Sequence, residues 1–119
     1  MENQELVNQL IANGRKALAE LESYTQEQID ELCRVCCEAF AAHAEELAAE
    51  AVAETGLGNV PDKIAKNTGS PDGVWYAIKN KKSVGVIGHD ERRHLTFVAH
   101  PKGIISCVIP TTNPNITIL

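Results

Sequence analysis

The chain has 119 residues, of which 44% are apolar, 23% charged and 4% aromatic. This size and mix fit one domain or part of one and exclude collagen-like, low-complexity and disordered classes. The net charge is −5, with twelve Asp/Glu against three Lys/Arg over residues 1–54 and four against eight over 55–119; without a basic surplus, nucleic acid is not an expected partner.

Residues 5–22 place Leu6, Leu10, Ala17, Leu18 and Leu21 at helical spacing, with an interruption expected at Gly14. Thr25 and Gln28 form a capping box, the hydroxyl and the amide each satisfying a free backbone N–H. The stripe Ile29, Leu32, Cys33, Cys36, Phe40, Ala44, Leu47 and Ala51 then predicts one long helix, which Gly56 ends in a left-handed cap. After a turn at Gly58–Pro61, Pro61 opens a short helix through Lys66. A break follows at Asn67–Pro71, then a further helical piece from Trp75 to about Lys81.

The apolar period now changes to two. Ser83–Gly88 and Leu95–Ala99 read as strands joined by the polar loop His89–Arg93, and His100–Gly103 is a corner. Ile104–Ile109 is nearly continuous apolar, as for a strand buried on both faces of a parallel sheet, and it stops at Pro110. Helices followed by strands of these two kinds predict an α/β fold.

The segment Pro110-Thr111-Thr112-Asn113-Pro114 is the candidate site. A polar turn directly behind a buried strand lies where open α/β sheets hold ligands. Asn113 can cap a following helix, with Pro114 at its first position. The same side chains can donate to a ligand, and the residues alone leave both readings open. The chain has no Gly-rich dinucleotide fingerprint and no phosphate loop.

The other chemistry-bearing residues point elsewhere. Met1 is followed by Glu2, Asn3, Gln4 and Glu5, not by basic and apolar leader regions, and no apolar run approaches the ~20 residues that span a bilayer. The expected compartment is the cytoplasm, with no membrane partner and with free thiols. Cys33, Cys36 and Cys37 lack a second pair that would close a tetrahedral zinc site, and His43 lies a full heptad beyond Cys36, so no metal is expected. Cys107, in mid-strand, is expected to be buried without a base, which is no setting for a nucleophile. His89 and His94 flank the hairpin loop and His100 sits at the corner, with no triad context for a hydrolase.

Four stretches carry a family resemblance. They are Tyr24–Asp30, Ala53–Gly58 with Asp62–Asn67, Ser83–Ile87, and Pro101–Ile105 running on to Pro110–Pro114. In order and spacing, over nearly the whole chain, the sequence resembles the N-terminal part of the CoA-acylating aldehyde dehydrogenases, including the aldehyde half of bifunctional aldehyde–alcohol dehydrogenases.

That resemblance implies an enzyme that oxidises a short-chain aldehyde with NAD or NADP through a catalytic cysteine and passes the acyl group to coenzyme A, reversibly. It implies an incomplete aldehyde dehydrogenase fold. Residues 1–82 would be the helical part of the cofactor domain, 83–103 a β-hairpin oligomerisation arm whose strands (83–99) join subunits of a homo-oligomer, and 104–119 the first strand and turn of a Rossmann-like cofactor domain. Pro110, Thr111, Thr112 and Asn113 would line the cofactor, and Thr112 or Asn113 would donate to the developing oxyanion from about 2.7–3.1 Å. The family's cysteine falls beyond position 119, so the resemblance implies a fragment inactive by itself. Two other readings compete with it: a non-catalytic helical interaction module, and a thiol or metal sensor built on Cys33, Cys36 and Cys37.

Overall fold

The computed structural model describes residues 2–119, in four α-helices, a two-stranded antiparallel sheet and a short 3-10 turn. The elements are α1 (Glu2–Leu21), α2 (Gln26–Ala42), α3 (Ala44–Thr55), α4 (Val60–Ile78), β1 (Gly85–Asp90) and β2 (Leu95–Ala99), with the 3-10 turn at Ile116–Ile118. The chain falls into two compact units. One comprises residues 1–29 and 82–106, the other residues 30–81 and 107–119.

In the first unit α1 runs through Gly14 without the expected interruption. One glycine costs a helix about 1 kcal/mol relative to alanine, too little to break twenty residues. Its missing side chain makes room instead, since a Cβ there would lie 3.2 Å from Ile104 Cδ1. The capping box forms as read. Gln28 Oε1 accepts from the Thr25 backbone N–H at 2.8 Å, and Thr25 Oγ1 accepts from the Gln28 N–H at 3.3 Å.

The hairpin is displaced by two residues from its expected start. Gln26 Oε1 accepts from the backbone N–H groups of Ser83 (2.8 Å) and Val84 (3.2 Å), so these donors are taken before the sheet begins. Gly85, at φ 69°, turns the chain into β1. The strand then continues through His89 and Asp90, and the loop is Glu91–His94. Asp90 Oδ1 accepts from the Arg93 N–H at 3.0 Å, and His94 closes the turn at φ 53°. Val86 pairs with Val98 and Gly88 with Phe97, leaving Ile87 as the extra residue of a β-bulge.

In the second unit the expected single long helix is divided at His43, whose φ of −102° and ψ of 16° leave the helical range. The His43 N–H reverts to a tighter bond with the Phe40 carbonyl, and its Nδ1 lies 3.0 Å from Glu46 Oε2. The bend also changes the buried face. Leu32 and Cys36 are exposed and Leu47 is half-buried, whereas Cys37, Ala44, Ala48 and Ala51 are buried. Gly56 caps α3 as read, left-handed at φ 66°, its N–H bonded to the Val52 carbonyl.

Two further expectations fail here. The break at Asn67–Pro71 does not occur, and α4 is continuous. Asn67 and Pro71 share one buried face of α4 with Lys63, and Asn67 Nδ2 donates to the Ala44 carbonyl of α3 at 3.4 Å. Thr68 Oγ1 donates to the Ile64 carbonyl at 2.9 Å. Packing against the small alanines of α3 thus offsets the ~3 kcal/mol that an interior proline costs. The second failure is the strand at Ile104–Ile109, which does not form. An extended segment becomes a strand only by pairing its N–H and C=O groups, and no described residue pairs with these. Consequently Cys107 is exposed rather than buried. The α/β class holds through the helices and the hairpin, without a parallel sheet among the described residues.

Candidate functional site

The turn behind residue 109 is built from local hydrogen bonds. The Asn113 N–H donates to the Pro110 carbonyl at 3.2 Å, and Thr117 Oγ1 donates to the Asn113 carbonyl at 2.8 Å. No helix starts at Asn113 or Pro114, contrary to the capping reading. The 3-10 turn begins two residues later, after Asn115, and takes no side-chain cap. Asn113 has a different partner: its Oδ1 accepts from Lys66 Nζ of α4 at 2.5 Å. Nδ2 has no partner among the described residues. A cation on the carbonyl oxygen fixes the amide plane and directs the two Nδ2 protons away from Lys66.

Thr112 faces a cleft of about 350 Å³ whose other walls are Leu57–Asn59, Asp62, Lys63 and Lys66. The cleft sits at the start of α4 because the chain reverses there. Gly58 adopts φ 75°, and Asn59 caps the helix by accepting from the Asp62 N–H at 2.9 Å. Asp62 Oδ2 accepts in turn from Asn59 Nδ2 at 2.6 Å. Of the four residues expected to line a cofactor, Thr112 reaches the cleft and Asn113 reaches its Lys66 wall. Pro110 and Thr111 are exposed and line no part of it.

Lys63 and Lys66 are functional candidates that the sequence reading did not single out. They stand in Asp62–Asn67, one of the stretches carrying the resemblance, and the signal was their spacing of three behind a capped, proline-started helix. That spacing sets both ammonium groups on the side of α4 that faces the turn.

The thiols do not make a nucleophilic centre. Burial pushes Cys33 up from the ordinary thiol value, with neighbouring Cys36, Cys37 and Asp30 adding to the rise. Cys37 is likewise pushed up by burial, then by Cys36 and Asp72. Cys36 and Cys107 are exposed. Among the described residues no three His, Cys, Asp or Glu side chains are grouped to hold a metal ion, and no helix is long and apolar enough to cross a membrane. His89 Nδ1 lies 3.1 Å from Thr96 Oγ1 across the hairpin, outside the cleft.

No family model matches the chain. Curated relatives do. The succinate-semialdehyde dehydrogenase (acetylating) of Clostridium kluyveri is 39% identical over 98% of this chain and 26% of its own length. The bifunctional aldehyde-alcohol dehydrogenase AdhE of Escherichia coli K12 is 40% identical over 93% of this chain and 12% of its own. The sulfoacetaldehyde dehydrogenase (acylating) of Bilophila wadsworthia is 41% identical over 93% and 24%. Among solved structures, an acetylating aldehyde dehydrogenase from Geobacillus thermoglucosidasius superposes with a TM-score of 0.90 at 38% identity, over 96% of this chain and 25% of that one. The chain is a homologue of the N-terminal segment of the acylating aldehyde dehydrogenases. It spans about a quarter or less of the length of the relatives it matches.

Proposed function

We propose that this segment serves a CoA-acylating aldehyde dehydrogenase of the cytoplasm, converting a short-chain aldehyde, coenzyme A and NAD or NADP to acyl-CoA and the reduced nucleotide, and that it contributes donors but no nucleophile. The observation that carries the reading is the oriented carboxamide of Asn113 beside the Thr112 hydroxyl, in a chain that matches acylating enzymes along 93–98% of its length. Bound nicotinamide supplies the hydride acceptor, and coenzyme A supplies the thiol that takes the acyl group. This chain's residues do the positioning. Lys66 holds Asn113 Oδ1, which leaves Nδ2 as the free donor for a developing oxyanion, with the Thr112 hydroxyl as a second donor.

The fit to a nicotinamide nucleotide is partial. Pro110 and Thr111 form an exposed edge that a flat ring can lie against, and the sequence carries no Gly-rich dinucleotide fingerprint. Residues 104–119 accordingly complete the ring end of a Rossmann-like cofactor domain built with chain outside this segment. The hairpin 83–99 acts as the arm that joins subunits into a homo-oligomer. A purely helical interaction module would need neither the hairpin nor the turn.

The test has two arms. The 119-residue chain alone, given acetyl-CoA and NADH, should consume no NADH, because none of its thiols is paired with a base. Exchanged for the matching segment of a solved acetylating relative, it should support NADH-dependent acetyl-CoA reduction. In that chimera Asn113→Ala should lower kcat about 10²-fold with little change in KM. A folded chimera without activity, or one indifferent to Asn113→Ala and Thr112→Val together, would defeat the reading.

A further inference from the structure

Lys63 is 8% exposed, which makes it one of two buried polar side chains among the described residues. Its counterpart, Asn67, has the Ala44 carbonyl. The Lys63 ammonium has no hydrogen bond or ion pair to any described residue. What is buried is the Lys63 stem: no buried polar side-chain atom among the described residues lacks a partner, so the ammonium itself reaches solvent. Its stem crosses under Gly58, where an added Cβ would sit 3.3 Å from Cε and 3.9 Å from Nζ. The side chain is thereby led into the cleft that Thr112 and Lys66 also wall.

The charges around the cleft do not cancel. Asp62 is the one acidic wall, and its Oδ2 is taken by Asn59 Nδ2. Lys66 spends one proton on the neutral Asn113 carboxamide and keeps its charge. Two cations therefore face one carboxylate. The N-terminus of α4 adds a favourable dipole. Its free amides add little, since Pro61 has none, Asp62 N–H is capped by Asn59 Oδ1, and Lys63 N–H bonds the Asn59 carbonyl. Side chains, not backbone, make this site.

We infer that the cleft is a binding site for a single oxyanionic group, held by the Lys63 and Lys66 ammonium groups with the Thr112 hydroxyl as a third donor. With point-charge ammonium groups and no guanidinium fork, it suits any compact oxyanion, whether phosphate, sulfonate or carboxylate. The group is either a free inorganic anion or the end of a larger molecule whose apolar part lies against Leu57. The inference stands on the cleft formed by the α4 start and Thr112, and anion binding there is measured without any dehydrogenase activity.

The experiment is a heteronuclear NMR titration of the 119-residue chain with inorganic phosphate, and separately with propane-1-sulfonate. Saturable shifts are expected in the amides of residues 57–66 and Thr112, with millimolar Kd. Tighter binding of propane-1-sulfonate assigns an oxyanion on an apolar tail, and tighter binding of phosphate assigns the free anion. Lys63→Met should weaken binding about tenfold, as for one lost charge-assisted contact, while Lys82→Met leaves it unchanged. Should Lys63→Met not fold, the half-buried Lys66→Met carries the same expectation. Absence of saturable shifts into the tens of millimolar, or equal Kd in the chain and in both lysine variants, would overturn the inference.

Discussion

Burial raises the Cys33 and Cys37 thiols above the ordinary value of 9.0. A thiol held neutral by the fold favours the folded state, and the sign of the pH effect follows. The contribution is complete below the ordinary thiol value and is lost as pH rises through it toward the folded values, because the unfolded chain ionises first. Urea midpoints should therefore fall between about pH 8 and pH 10, and Cys33→Ala with Cys37→Ala should flatten that decline. In the native chain at neutral pH, iodoacetamide should label Cys36 and Cys107 well before Cys37, as peptide mass mapping would show. Labelling of Cys37 at the rate of Cys36 would contradict its burial. The exposed position of Cys107 was not legible in the sequence. The nearly continuous apolar run around it, Ile104–Ile109, reads as core, and nothing in it states whether a pairing strand is present.

At the level of elements, local signals were read well and non-local ones poorly. The Thr25–Gln28 box and the Gly56 cap involve residues three or four apart and formed as read. The continuity of α4 depends on Ala44, more than twenty residues away, so Asn67-Thr68-Gly69-Ser70-Pro71 read as a break. The division at His43 was equally hidden, since histidine carries no helix-breaking signature. The pairing of Lys66 with Asn113, 47 residues apart, is non-local in the same way, which is why the turn was found and its orienting cation was not. The α3–α4 contact yields a direct test. Asn67→Ala removes a buried hydrogen bond and leaves the Ala44 carbonyl without that partner, and should cost about 2 kcal/mol by urea denaturation. A loss below about 0.5 kcal/mol would place the stability of the pair elsewhere.

At the scale of the molecule, the buried apolar residues among those described are mostly small: Cys37, Ala44, Ala48 and Ala51, with Pro71. Large apolar side chains are outside, among them Leu6 and Leu10, with Ile105 80% and Val108 94% exposed. Exposed apolar surface of this kind marks contact with further protein. The isolated chain should therefore self-associate, with sedimentation velocity showing a concentration-dependent weight average; a monodisperse, cooperatively melting monomer would refute this. The segment from Ile104 to Ile109 adds a consequence of its own. Its amides bond no carbonyl among the described residues, so they are expected to exchange early with deuterium. Docking of a neighbouring strand would lift precisely these amides from the least to the most protected in the chain, making them a built-in gauge of assembly.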